Sequence, residues 1–294
     1  MKPPKQTQEL EHLLRLFHLS SFRAHYLDFA RKAEREKLNH VEYLHQLAIA
    51  EEQDRSKRKI ARLLKNARLP HSKLLADYQF ERQPLLSRTL INELIAGDCL
   101  DACENLIIFG EPGTGKSHLS VGLGREWCLQ GRSVFYTSAA ALVQELLRAK
   151  RELSLNQFIK TLDGFQALII DDLSYIPQTR DETDVLFVLL SERYERRSVV
   201  VTSNLAFSDW HQVFKDPMTT AAAIDRLVHH SEILELKGPS FRADEASKRL
   251  PNAQNKRRKP MPHPRSKLKC SKYSSVFNAK NAVIATLSVS CLRR

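Results

Sequence analysis

Hydrophobic positions recur with two different periods along this chain, and the change between them falls near residue 105. Over residues 8–69 the apolar side chains return every three or four positions, as in Leu10, Leu13, Leu14 and Phe17 and again in Tyr43, Leu44, Leu47 and Ala48. That spacing lines one face of an α-helix. Neither Pro nor Gly interrupts the stretch before Pro70, so it reads as helical throughout. From about residue 105, short β-rich runs alternate with helical segments. The predicted strands are 106–109, 133–137, 167–171, 199–202 and 233–236, with a helical stretch at 139–150 followed by residues 151–160. Apolar strands separated by helices imply a parallel sheet covered on both faces. The predicted fold class is α/β, a parallel sheet flanked by helices and preceded by a small all-α region. The expected domains are 1–75, 76–246 and 247–294.

The loop after the first predicted strand carries the sharpest chemical signal. Gly110-Glu111-Pro112-Gly113-Thr114-Gly115-Lys116-Ser117 fits G-x-x-x-x-G-K-[ST], with the apolar run Leu106-Ile107-Ile108-Phe109 before it and a predicted helix start after it. Glycines at 110, 113 and 115 let backbone N–H groups turn inward around phosphates, and the helix N-terminus adds its positive dipole end. In such a loop Lys116 reaches the β- and γ-phosphates of ATP and Ser117 ligates Mg2+. Ala167-Leu168-Ile169-Ile170-Asp171-Asp172 reads as a buried strand ending in two carboxylates, the form of a Walker B element. Asp171 is the expected magnesium residue and Asp172 the carboxylate that polarises the attacking water. Asp is one methylene shorter than the Glu that many such ATPases carry there. The fourth predicted strand ends Val201-Thr202-Ser203-Asn204, which puts an amide at the sheet edge where ligands of open α/β sheets bind. Asn204 is therefore a candidate sensor of the nucleotide state.

Charge divides the chain further. The net charge is +12, yet residues 251–294 hold eleven Lys or Arg and no Asp or Glu. Residues 1–75 carry sixteen basic against nine acidic residues, and residues 76–250 carry nineteen against twenty-five. A basic helical region thus precedes an acidic nucleotide-binding core, a distribution that suggests a division of labour. Its sharpest piece is residues 55–68, where Ile60, Leu63, Leu64 and Ala67 form an apolar stripe while cations cover the other faces. That helix can pack and still present a positive surface to phosphates, although a merely solvated basic face has the same pattern. Arg148, Lys150 and Arg151 are open to the same two readings. The five cysteines, 99, 103, 128, 270 and 291, give no disulfide framework, and Cys99 and Cys103 find no further ligand nearby in sequence for a zinc site. With no run of 18 apolar residues and no signal-peptide core after Met1, the expectation is a soluble cytoplasmic protein without a membrane partner.

With these motifs in this order, residues 8–246 resemble the IstB-like transposition helper ATPases, AAA+ proteins related to the DnaC helicase loaders and the DnaA initiators. Further stretches carry the resemblance: Glu192-Arg193-Tyr194-Glu195-Arg196-Arg197, Thr202-Ser203-Asn204-Leu205-Ala206-Phe207-Ser208-Asp209-Trp210, Asp225-Arg226-Leu227-Val228-His229-His230 and Gly238-Pro239-Ser240-Phe241-Arg242. The resemblance implies a P-loop AAA+ core with little or no lid, and ATP-dependent homo-oligomer assembly on double-stranded DNA beside a cognate transposase. Arg226 matches the arginine-finger region, which would reach a neighbouring subunit's γ-phosphate, and Arg242 resembles a second-sensor arginine. Residues 251–294 depart from the family's usual ending. They read either as an added DNA-binding tail or as the product of a shifted or extended reading frame. A replicative helicase loader and a nucleotide-gated DNA scaffold with little hydrolysis are the competing functions.

Overall fold

The computed structural model describes residues 5–175, 179–206, 209–210 and 217–244, and the basic tail expected over 247–294 lies outside the described residues. The N-terminal stretch is helical but not continuous. It forms α1 (Lys5–Leu16), α2 (Ser20–Glu36) and α3 (His40–Asn66), so the expectation of unbroken helix through residue 69 is corrected at two places. His18 and Lys37 adopt left-handed backbone with φ of 55° and 54°. α3 is then started by a reciprocal cap: the Glu42 amide donates to Asn39 Oδ1 at 2.9 Å, and the Asn39 amide donates to Glu42 Oε2 at 2.8 Å. Asn39-x-x-Glu42 is a start signal readable in the sequence. Neither break uses glycine; backbone bonds close both turns, the Leu19 amide donating to the Leu14 carbonyl and the Leu38 amide to the Ala33 carbonyl, each at 2.9 Å.

Buried Glu51 holds α2 against α3. It accepts from the Ser21 amide at 2.7 Å and pairs with Arg55 at 2.7 Å, while Ser21 Oγ donates to Asp54 at 2.6 Å. The last turn of α3 reaches the sheet. Leu63 and Leu64 pack against the core, Ala67 is fully buried, and the Ala67 carbonyl accepts from the Tyr136 amide at 2.9 Å. Cations Lys57, Arg58, Lys59, Arg62 and Lys65 stay exposed on the remaining faces of the helix.

After α4 (Arg88–Ala96) and α5 (Asp98–Asp101), strands and helices alternate. They are β1 (Asn105–Gly110), α6 (Lys116–Leu129), β2 (Val134–Ser138), α7 (Ala139–Arg151), α8 (Leu155–Asp163), β3 (Ala167–Asp171), α9 (Arg180–Arg193), β4 (Ser198–Ser203), α10 (Pro217–Val228) and β5 (Ser231–Leu236). All five predicted strands are present, within one or two residues of their expected bounds. They pair in parallel in the order β2-β3-β4-β1-β5. Alternate residues serve two cores: Ile107, Leu168, Ile170, Val199 and Val201 face α7 to α10, while Leu106, Ile108, Ile169, Val200 and Leu234 face α3, α4 and α6. Each of these side chains is at most 3 % exposed, which is why the strands read as continuous apolar runs. Among the described residues no helix is long and apolar enough to cross a membrane.

The amino edge of the sheet is sealed by polar side chains. Asn105 Oδ1 accepts from the Val199 amide at 2.9 Å, and its Nδ2 donates to the Leu227 carbonyl at 3.1 Å. Arg193, fully buried, donates to the carbonyls of Leu162, Phe165 and Ser198 at 2.9–3.1 Å and lies 3.5 Å from Asp163. Burial lowers its pKa to about 10. Arg193→Met strands three carbonyls and leaves Asp163 only its pair with Arg196 at 3.2 Å, and should cost about 3 kcal/mol of stability in urea denaturation. The exposed neighbour substitution Arg196→Met should stay within about 0.5 kcal/mol. Equal midpoints for the two variants would show that the buried guanidinium is not the fastener of this edge.

Candidate nucleotide site

The phosphate loop stands at the carboxyl end of β1, flanked by β4 and β5. Gly110 has φ of 147°, and a Cβ there would run into the Leu236 carbonyl; Gly113 has φ of 86°, and a Cβ there would run into Ser240. These two glycines are required by close approach as well as by backbone conformation. α6 opens at Lys116 with no side-chain cap, which leaves first-turn amides for an anion. Thr114 is buried and structural: its hydroxyl donates to the Glu111 carbonyl at 2.8 Å, and its own carbonyl accepts from Gln83 Nε2 at 3.0 Å. Glu111 and Pro112 are exposed at the loop tip.

Lys116 is 5 % exposed, and its Nζ donates to the carbonyls of Gly110 and Glu111 at 2.7 and 2.8 Å. Burial lowers its pKa, against the opposing pull of Asp172 and Asp171. Both carboxylate oxygens of Asp171 are engaged: Tyr136 donates to Oδ2 at 2.7 Å and Thr202 donates to Oδ1 at 2.6 Å. The same Thr202 hydroxyl accepts from the Asp172 amide at 2.9 Å. One side chain of β4 therefore holds the carboxylate of Asp171 and the backbone of Asp172 at the end of β3. Asp172 sits at φ of 59°, half-buried, and its carboxyl pKa is raised by burial first and by Asp171 second, with Lys116, Arg242 and Lys73 opposing. Asn204 is fixed through its amide, which donates to Ser174 Oγ at 2.7 Å.

A cavity of about 700 Å³ opens over the loop, and Gly113, Lys116, Ser117, Asp172, Asn204 and Arg242 all line it. Six sequence-predicted residues, drawn from separate regions of the chain, thus converge. Arg226 does not. It lies outside the cavity on α10, with its guanidinium carbon 4.9 Å from the ring centre of Phe187 on α9 and one terminal nitrogen buried without a hydrogen bond.

Two segments wall the cavity, and of these the sequence reading named only residues 238–242, through Arg242. Lys73 and Tyr78 line its rim from the connection that follows Pro70. Tyr78 is 6 % exposed, its ring lies against Gly115 and edge-on to His118, and burial pushes its phenol pKa upward. Residues 238–244 cover the other side. The Phe241 amide donates to the Gly113 carbonyl at 2.9 Å, Arg82 pairs with Asp244, and the Arg82 guanidinium stacks 4.4 Å over the Phe241 ring. Neither segment has a periodic apolar pattern, and the aromatic residue at 78 lies more than thirty positions from the loop it touches.

A parallel sheet in this strand order, with a phosphate loop after β1, paired carboxylates after β3 and an amide after β4, defines a P-loop nucleotide-binding protein of the AAA+ type. The fold likeness extends to a crystal structure of a DNA replication initiation factor, with a TM-score of 0.50 and 18 % identity over 64 % of this chain and 56 % of that one. The chain belongs to the IstB-like ATP binding protein family, whose model matches residues 11–249. It is 43 % identical over 215 residues, 73 % of this chain and 72 % of the relative, to an insertion sequence ATP-binding protein of Sinorhizobium fredii. It is 35 % identical over 240 residues, 82 % and 91 % of the two chains, to the insertion sequence IS21 ATP-binding protein of Pseudomonas aeruginosa.

The raised pKa of Asp172 has a consequence for stability. A carboxyl group whose folded pKa exceeds its unfolded value favours the fold while protonated, and that contribution is lost as pH rises through the folded pKa. At neutral pH the ionised group therefore opposes folding. Asp172→Asn should raise the thermal unfolding midpoint in neutral buffer, with the gain shrinking as pH falls through the carboxylate range. A gain independent of pH would trace to backbone preference at φ of 59° instead of to charge.

Proposed function

We propose that this protein is an ATPase that helps insertion-sequence transposition, assembling with itself on double-stranded DNA when ATP is bound and recruiting or activating the cognate transposase. The observation that carries the reading is the convergence of Lys116, Ser117, Asp172, Asn204 and Arg242 on one cavity in a chain whose relatives are insertion-sequence ATP-binding proteins. We place its action in the cytoplasm, with its DNA.

The residues divide the work as follows. Lys116 exchanges its two loop carbonyls for phosphate oxygens, so phosphate entry supplies the charge partner that the loop now only approximates. The loop amides and the opening turn of α6 hold the rest of the triphosphate. Ser117 and Asp171 offer the hard oxygen ligands that suit Mg2+, and each Asp171 oxygen keeps a lone pair beyond the one given to Tyr136 or Thr202. When bound, Mg2+ neutralises charge developing on the β- and γ-phosphates. Asp172, held by Thr202, orients the attacking water and accepts its proton, and its raised pKa suits a base. Asn204 hydrogen-bonds that water or the γ-phosphate, and Arg242 adds a cation at the cavity mouth. Arg226 acts in a neighbouring subunit's site, which agrees with its position outside its own cavity and makes hydrolysis report assembly.

Lys116→Ala should lower ATP affinity by about 100-fold or more in calorimetry, since it removes a charge-assisted hydrogen-bond donor. Arg226→Ala should bind ATP normally and fall about 1,000-fold in turnover. Mixing the two variants should restore part of the phosphate release. Co-assembled variants that do not complement each other would place Arg226 in its own subunit.

The exposed cations of α3 are the ordered surface for DNA, because the apolar stripe that packs into the core fixes their register. Neutralising Lys57, Arg58, Lys59, Arg62 and Lys65 together should abolish DNA stimulation of ATP hydrolysis. It should also flatten the slope of log affinity against log salt by about 0.9 for each DNA phosphate left without a cation. Truncation after Leu250 should weaken non-specific binding and leave the stimulation. The reverse pattern would make the tail the functional DNA element.

A further inference from the structure

At the edge of the sheet opposite the cavity, the end of α9 meets the turn between α10 and β5. Glu195, His229 and His230 each bring a ligand-capable atom within 4.8 Å of the other two, and all three side chains are exposed. His230 Nε2 lies 3.6 Å from Glu195 Oε1, close to the spacing of two ligands on one tetrahedral ion. The two imidazole rings stand 4.0 Å apart at 63°.

The backbone under this cluster is held in place. The His229 amide donates to the Asp225 carbonyl at 2.9 Å, and the His230 carbonyl accepts from the Asn105 amide at 2.7 Å, so the turn is tied to α10 and to the first residue of β1. Glu195 sits at φ of 56°, a left-handed conformation unusual for Glu, just past the helix whose last residue is the buried Arg193.

Tyr194 supplies the outer layer. Its hydroxyl lies 2.8 Å from His229 Nδ1. When the hydroxyl accepts from Nδ1–H, His229 presents Nε2 as a lone pair. A phenol that orients one ligand matches the way outer groups fix metal-binding histidines.

We propose that Glu195, His229 and His230 form a binding site for a divalent transition-metal ion of the zinc class, with solvent completing the coordination. Two imidazoles and one carboxylate suit Zn2+ and its neighbours better than Mg2+ or Ca2+, which prefer all-oxygen ligands. A bound ion would join the end of α9 to the end of α10, three residues from Arg226, whose guanidinium already rests on Phe187 of α9. The site rests on no assignment at the nucleotide cavity.

The test is a titration of the untagged, chelator-treated full chain with Zn2+ alone, in the absence of nucleotide, read by calorimetry and by thermal unfolding. One saturable site is expected, together with a metal-dependent rise in the unfolding midpoint. His229→Ala, His230→Ala and Glu195→Gln should each weaken the affinity about 10-fold or more, and Tyr194→Phe about 10-fold, as removal of an outer partner does. All four side chains lie at the surface or half-exposed, so unchanged midpoints without metal will confirm that the variants fold. The absence of a saturable site in the parent would overturn the proposal. So would a His229→Ala, His230→Ala double variant that keeps the parent's affinity or its metal-dependent stabilisation.

Discussion

Burial of the parallel sheet on both faces is the constraint from which the rest of the structure follows. With Ile107 fully buried toward α7 to α10, and Leu106 and Ile108 toward α3 and α6, β1 has no solvated face. Polar chemistry can then stand only at the strand ends. The order β2-β3-β4-β1-β5 makes the ends of β3, β4 and β1 adjacent, so the carboxylates, the amide and the phosphate loop meet although long stretches of sequence separate them. The amino edge obeys the same rule, and Asn105, Arg193 and the Glu195–His229–His230 cluster collect there.

At the carboxyl edge, Thr202 is the junction. A strand-end hydroxyl has one proton to give and lone pairs to receive, and this one gives to Asp171 and receives from the Asp172 amide. The two acidic residues consequently hold different environments at short range. Asp171 is held by two donors, while Asp172 lines the cavity, where Lys116, Arg242 and Lys73 oppose the effect of its burial. In the function proposed above, that asymmetry suits one carboxylate to holding and the other to proton transfer, by environment and not by residue type.

Much of this was legible in the chain. The strands were, because burial on both faces leaves unbroken apolar runs, and so was the loop, because Gly110 and Gly113 answer steric demands that no other residue meets. The breaks at His18 and Lys37 were hidden, since non-glycine residues took left-handed conformations there, although Asn39 and Glu42 carried a readable start signal. Tyr78, Gln83, Arg82 and Asp244 were invisible as site residues: their roles come from packing between segments that nothing in local periodicity relates. Tyr136, a strand residue, gave no hint that its hydroxyl would reach Asp171. The place of Arg226 on Phe187 likewise depends on how α9 and α10 pack.

The clasp around the phosphate loop bears on how the protein comes into being. Arg82 and Asp244 are 162 positions apart, and Gly110 is walled by the Leu236 carbonyl and Gly113 by Ser240. A chain emerging from the ribosome therefore displays the Gly-Lys-Ser run long before it owns the pocket around it. Until β5 and the turn beyond it have been synthesised, the loop lacks one wall. The pocket is completed only by closing a loop of chain 162 positions long, a contact of high sequence separation that local folding cannot supply.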